Sequence, residues 1–143
     1  MDAESSLADY SVMQLDQGLS VAERPLLSVV DDDESVRESL PDLLRKLGFA
    51  ARAFSSAQEF LSSDSVDETK CLILDVAMPG MTGLDLQQEL KRLGQDIPII
   101  FITGQKEEGI RKQAFRQGAV KFLNKPFSDT ALLDAVNAAL RVE

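Results

Sequence analysis

Residues 71–75 read Cys-Leu-Ile-Leu-Asp, and residues 99–104 read Ile-Ile-Phe-Ile-Thr-Gly. Neither run alternates apolar with polar residues, so neither fits a strand with one face in water. Both fit strands covered on two faces, the situation of a parallel sheet between layers of helices. Working outward, short apolar runs alternate with segments of helical period and with turn residues. The predicted strands are Leu26–Val30, Ala50–Phe54, Cys71–Leu74, Pro98–Ile102 and Ala119–Leu123. Val36, Leu40, Leu43, Leu44 and Leu47 fall on one face of a helix between the first two strands. Leu86, Leu90 and Leu93 form a second stripe, and Leu133, Val136 and Leu140 a third. Gly48, Gly94 and Gly118 stand where these or neighbouring helices would end. Pro41 interrupts the first stripe, so that helix should either kink there or begin later. The pattern is (βα)5, too short for a closed eight-stranded barrel. It predicts a doubly wound, flavodoxin-like α/β fold with five parallel strands in the order 2-1-3-4-5, and a ligand site beyond the C-terminal ends of strands 1 and 3.

Composition narrows the function. The chain has 143 residues, one cysteine, no histidine and a net charge of −9. Without histidine there is no imidazole base, no histidine metal ligand and no phosphohistidine carrier. One cysteine, Cys71, cannot form an internal disulfide; it suits a reducing compartment and a small buried apolar role. The negative charge opposes direct binding to nucleic acid. Apolar runs of four to six residues fall well short of the roughly 20 that span a bilayer. Asp2 and Glu4 are out of place in a secretory signal, so a cytoplasmic location away from membranes is expected. Residues 1–25 carry a net charge of −4 and read as a flexible extension; residues 26–143 read as the domain.

The residues that follow the strands carry the chemistry. Strand 1 runs into Asp31, Asp32 and Asp33, strand 3 into Asp75, strand 4 into Thr103-Gly104, and strand 5 into Asn124-Lys125-Pro126. The predicted strand order sets Asp31 and Asp32 facing Asp75 across the switch point. Three neighbouring carboxylates repel, and one of them should have its pKa raised unless a cation sits among them. Oxygen ligands without histidine favour a hard ion, Mg²⁺ ahead of Zn²⁺ or Cu²⁺. Mg²⁺ commonly completes its shell with phosphate oxygens, so a phosphoryl ligand is expected, with Lys125 and Thr103 available to meet it. Met78, Met81 and Phe127 read as packing around the loops.

Four segments resemble the receiver domains of bacterial two-component response regulators: VVDDDESVRESL at 29–40, LDVAMPGMTGLDL at 74–86, IIFITG at 99–104 and GAVKFLNKPF at 118–127. Their order and spacing match over the whole stretch from Leu26 onward. The wording is most similar to receivers that precede a helix-turn-helix output domain of the LuxR type. The resemblance implies that Asp75 accepts the phosphoryl group and that Asp32 and Asp75 ligate Mg²⁺ directly. Asp31 would act mainly through water, and the Ala77 backbone carbonyl would complete the protein ligands. Thr103 would be the switch hydroxyl, Phe122 the switch aromatic and Lys125 the phosphate partner, with a cis bond to Pro126. Backbone amides after Asp75 would help to offset phosphoryl charge.

The implied donor is a sensor histidine kinase or a phosphotransfer protein, and the implied self-association is a homodimer through helix 4 and strand 5. Such a domain is a phospho-accepting signalling module rather than an enzyme, although it assists its own phosphorylation and dephosphorylation. Two departures from the family pattern matter. Ala77 stands where a longer polar residue is common, which should open the phosphoryl group to water. Gln105-Lys106-Glu107-Glu108 replaces the usual start of helix 4. A Mg²⁺ phosphohydrolase would need a second acid two residues after its nucleophile, and that position is Ala77. A fold kept only as a phosphorylation-independent interaction module would have no use for the complete set of site residues. On this reading, a chain ending at Glu143 is a single-domain regulator or the receiver of a longer protein.

Overall fold

The structure, a computed structural model, describes residues 23–104 and 108–141. Most of the expected 1–25 extension and most of the departure at 105–108 lie outside the described residues.

Five strands alternate with five helices: β1 Leu26–Val30, α1 Glu34–Lys46, β2 Ala50–Phe54, α2 Ala57–Leu61, β3 Thr69–Asp75, α3 Gly83–Arg92, β4 Ile99–Thr103, α4 Glu108–Arg116, β5 Lys121–Asn124 and α5 Asp129–Arg141. All strand pairings are parallel, and the order across the sheet is β2-β1-β3-β4-β5, as the sequence pattern predicts. Successive side chains of a strand point to opposite faces, and the core divides accordingly. Leu27, Val29, Cys71, Ile73, Ile100 and Ile102 pack with Leu40 and Leu44 of α1 and with Leu132, Ala135, Val136 and Ala139 of α5. Val30, Leu72, Leu74, Ile99 and Phe101 face the other way, against Ala57 and Phe60 of α2, Leu86 and Leu90 of α3 and Ala114 of α4. The unalternating runs at 72–74 and 99–102 are apolar because each residue meets one of these two layers.

Several local expectations need correction. β3 begins at Thr69 and extends through Asp75. Thr69 belongs to the strand because it pairs with Leu26, while its hydroxyl meets Ser28 Oγ at 2.7 Å and donates to the Ser65 carbonyl. β4 runs one residue later than expected, through Thr103. β5 starts at Lys121 rather than Ala119, whose amide is engaged by the Ala114 carbonyl at the end of α4. Leu93 is 49% exposed because it caps α3 instead of continuing its buried stripe. The inward face of α5 centres on Leu132, Ala135, Val136 and Ala139; Leu133 and Leu140 are only partly buried beside it. α1 starts at Glu34 and runs through the buried Pro41, so the later start is excluded.

Helix ends follow local chemistry. Asp33 caps α1 by accepting from the Ser35 amide, and Thr82 and Asp85 form a reciprocal capping box at the start of α3. Gly48 follows α1 at φ 102°, a backbone conformation costly for any side chain with a Cβ. No helix among the described residues is long and apolar enough to cross a membrane.

Candidate functional site

The C-terminal ends of β1, β3, β4 and β5 converge on one edge of the sheet. Val30 pairs with Leu74, so Asp31 and Asp75 leave adjacent strands at the same level. Asp75 pairs with Ile102 and Thr103 with Asn124, which brings Thr103 and Lys125 alongside. The Lys125 amide donates to the Thr103 carbonyl at 2.7 Å, and the Lys125–Pro126 peptide is cis.

Asp31 is fully buried and held on several sides. Its Oδ1 accepts from the Asp33 amide at 2.9 Å and its Oδ2 from Lys125 Nζ at 2.9 Å. Its backbone carbonyl accepts from Arg37 Nη1 at 3.0 Å. Lys125 Nζ also lies 3.8 Å from Asp75 Oδ1. Asp32 is exposed, whereas Asp75 is only 6% exposed. One carboxylate oxygen from each of Asp31, Asp32 and Asp75 lies within 4.8 Å of the others.

The electrostatics follow from that crowding. Burial and then the Asp31 charge push Asp75 up to about 7; Lys125 pulls it down, and the charge and hydrogen bond of Asp32 push it up again. For Lys125, burial lowers the pKa, but the Asp31 hydrogen bond and the charges of Asp31, Asp75 and Asp33 outweigh it, and the net displacement is upward. One ammonium therefore leaves three carboxylates under-neutralised. The donor set is all oxygen and one member is open to solvent, which suits a hard divalent cation that keeps part of its water shell.

A second feature adjoins this edge. Val76, Ala77, Thr82, Leu84, Thr103, Ile110 and Phe122 line a mostly apolar cavity of about 290 Å³. Thr103 is buried at its wall. The Phe122 ring lies 6.1 Å from that of Phe101 and 6.5 Å from that of Phe115, which is itself 37% exposed and covered by the Arg111 guanidinium.

All seven residues singled out from the sequence thus gather here: Asp31, Asp32, Asp75, Ala77, Thr103, Phe122 and Lys125. The expectation for the amides after Asp75 changes in one respect: that of Val76 is committed to the Ile102 carbonyl. Sequence reasoning missed Gly83. Its amide donates to the Val76 carbonyl, and a Cβ there would stand 2.3 Å from the Asp75 carbonyl oxygen. Only the absence of a side chain lets α3 pack this closely against the strand end that carries Asp75. The available signal was the capping Thr82 immediately before a glycine at the first helical position.

The doubly wound sheet carries an acidic cluster, a hydroxyl and a lysine on its C-terminal edge, and residues 27–137 match the model of the response regulator receiver domain. The chain belongs to that family, whose members serve two-component signalling. It is 52% identical over 116 residues to nodulation protein W of Bradyrhizobium diazoefficiens, covering 81% of this chain and 51% of that protein. The structure of the response regulator StyR is similar with a TM-score of 0.77 at 44% identity, covering 83% of this chain and 60% of that one. The crystal structure of FixJ-N is similar with a TM-score of 0.75 at 36% identity, covering 82% and 94%. The chain spans about half the length of the curated relatives it matches.

Proposed function

We propose that this receiver takes a phosphoryl group from the phosphohistidine of a sensor histidine kinase, or of a phosphotransfer protein, onto Asp75 in a Mg²⁺-dependent reaction. The observation that carries the reading is the buried Asp75 carboxyl at the end of β3, with Lys125 Nζ 3.8 Å from one oxygen and oxygens of Asp31 and Asp32 within 4.8 Å. Asp32, Asp75 and the Ala77 carbonyl, with Asp31 through water, are the groups that would hold Mg²⁺. The chemistry the ion supplies when bound is neutralisation of the carboxylates and of the incoming phosphoryl oxygens.

The protein's own part is positioning and charge. An ionised Asp75 oxygen attacks phosphorus as the P–N bond breaks, and the bonding pair returns to the donor imidazole. A carboxylate is a weak nucleophile, so alignment matters more than basicity. Asp31 is pinned by the Asp33 amide and Lys125, which keeps the Lys125 ammonium beside the acceptor, ready to pair with a phosphoryl oxygen. The phosphorylated side chain gains negative charge and acceptor oxygens, and the Thr103 hydroxyl turns towards them. That movement frees space on the wall of the 290 Å³ cavity, into which Phe122 swings. The packing of Phe122 against Phe115 then changes, shifting the population of conformations on the α4–β5 face, the surface for homodimerisation or an output partner.

This is a signalling cycle rather than turnover of a metabolite, and a cytoplasmic setting follows from it. Incubation with acetyl phosphate and Mg²⁺, followed by intact-mass measurement, tests the reading. A phosphoryl adduct that requires Mg²⁺ and is absent from Asp75→Asn is expected. Continuous phosphate release without an adduct would identify a phosphohydrolase, and no reaction would identify an interaction module; either overturns the proposal.

A further inference from the structure

We infer a second ligand site at the opposite edge of the sheet, between the C-terminal ends of α3 and α4, that takes a small organic cation bearing N–H donors: a guanidinium or primary ammonium compound. A cavity of about 460 Å³ opens there, beside the N-terminal ends of β4 and β5, with Leu90, Ile97 and Ile99 among its apolar lining. That volume is within the range of small-molecule sites. It shares no lining residue with the acidic edge, where Asp75 and Thr103 end β3 and β4 and Lys125 follows β5.

Two buried carboxamide oxygens define what would bind. Gln87, on α3, is 5% exposed; its Nε2 donates to the Ala114 carbonyl of α4 at 3.2 Å, and its Oε1 has no partner. The bond to Ala114 fixes the orientation of the amide, because reversing it would set two acceptors against each other. Gln117, just past α4, also buries an Oε1 without a partner, and both glutamines line the cavity. Buried acceptors lose their hydration and regain nothing until a donor arrives. Both unpaired atoms are acceptors, so the complementary ligand donates.

Charge selects a cation among donors. The carbonyl ends of α3 and α4 present the negative poles of both helices, and the exposed Asp96 adds a carboxylate at the rim. Lys91 is also at the rim, but it is exposed, and its long stem can hold the ammonium in water away from the ligand. The apolar lining suits a short alkyl stem. Because Gln87 already bonds α3 to α4, a ligand on its Oε1 adds a fastening between those two helices.

The test is an NMR titration of the ¹⁵N-labelled full chain with butylguanidinium, against tetramethylammonium (a cation without donors) and acetamide (a neutral donor), at constant ionic strength. Saturable shifts of the Gln87 and Gln117 side-chain amides and of the Gly118 and Val120 backbone amides are expected with butylguanidinium alone. Gln87→Met keeps the side-chain length and removes the acceptor, and should weaken binding about tenfold. Gln117→Met leaves the α3–α4 hydrogen bond intact and should also weaken it. Equal shifts with tetramethylammonium would reduce the effect to charge screening, and equal shifts with acetamide would remove the case for a cation. Absence of saturation would leave only water on the two oxygens, and undiminished binding in both variants would place the ligand elsewhere. Each of these results overturns the inference. Asp75 phosphorylation can succeed or fail without affecting any of them.

Discussion

Replacing Asp75 with asparagine should stabilise the metal-free protein, although it removes the residue on which the proposed function depends. Asp75 has an ordinary value of 3.8 and sits at about 7 in the fold. Between those values the folded state holds a proton that the unfolded chain has released. The contribution of this group to stability therefore falls as pH rises from about 4 to about 7, and above 7 the folded state bears the whole penalty of an ionised cluster. A difference of about three pKa units sets a ceiling of about 4 kcal/mol. The site lies at an open edge beside the exposed Asp32, so solvent screening reduces the expected gain to about 2 kcal/mol at pH 8. Urea unfolding of both proteins in a chelator-containing buffer measures it. The parent should gain on Asp75→Asn as pH falls from 8 to 5, and Mg²⁺ should narrow the gap at pH 8 by stabilising the parent more. An asparagine variant no more stable than the parent at pH 8 without divalent ions would show that an ionised Asp75 imposes no such penalty on the fold.

Other substitutions separate the roles of the neighbouring residues. Asp32→Ala should leave stability within about 0.5 kcal/mol, since the side chain is exposed, yet weaken Mg²⁺ binding severely; metal titration and urea unfolding together check this. Ala77→Arg should prolong the life of the phosphorylated protein by about tenfold, or about 1.4 kcal/mol in the hydrolysis barrier, by covering the approach of water; decay of the isolated phosphoprotein in Mg²⁺ buffer measures it. Gly83→Ala should cost about 1–3 kcal/mol from overpacking against the Asp75 carbonyl, seen in urea unfolding, and should slow phosphorylation by displacing the acceptor.

The parts legible in sequence are those in which one residue type serves one geometric need. β1 and β2 match their expected limits because the apolar run and the pairing coincide. β3 does not, because Thr69 is held in the sheet by hydroxyl hydrogen bonds that hydropathy cannot register. α2 has five residues, too few to display a period, and α4 buries only Ala114, so neither carries a readable stripe. Asp31, Asp32, Asp75, Thr103 and Lys125 stand out because each ends or follows a strand, and the strand order alone brings them together. Arg37 and Gly83 do not: one acts through the Asp31 carbonyl and the other by lacking a side chain beside the Asp75 carbonyl. Both are approaches to backbone atoms, and these exist only once the chain has folded. Gln87 is similar, since polarity on a helix reads as an outward face until α4 covers it.

Chemical trapping distinguishes Asp75 from the neighbouring carboxylates as the proposed site of the acyl phosphate. The protein is phosphorylated with acetyl phosphate and Mg²⁺, reduced with borohydride, digested and mapped by tandem mass spectrometry. Reduction converts an aspartyl phosphate to homoserine and leaves free carboxylates unchanged. Homoserine is expected at position 75 and at no other aspartate, with none formed when Mg²⁺ is chelated. Homoserine at position 31 or 32, or an adduct that survives the reduction, would contradict it.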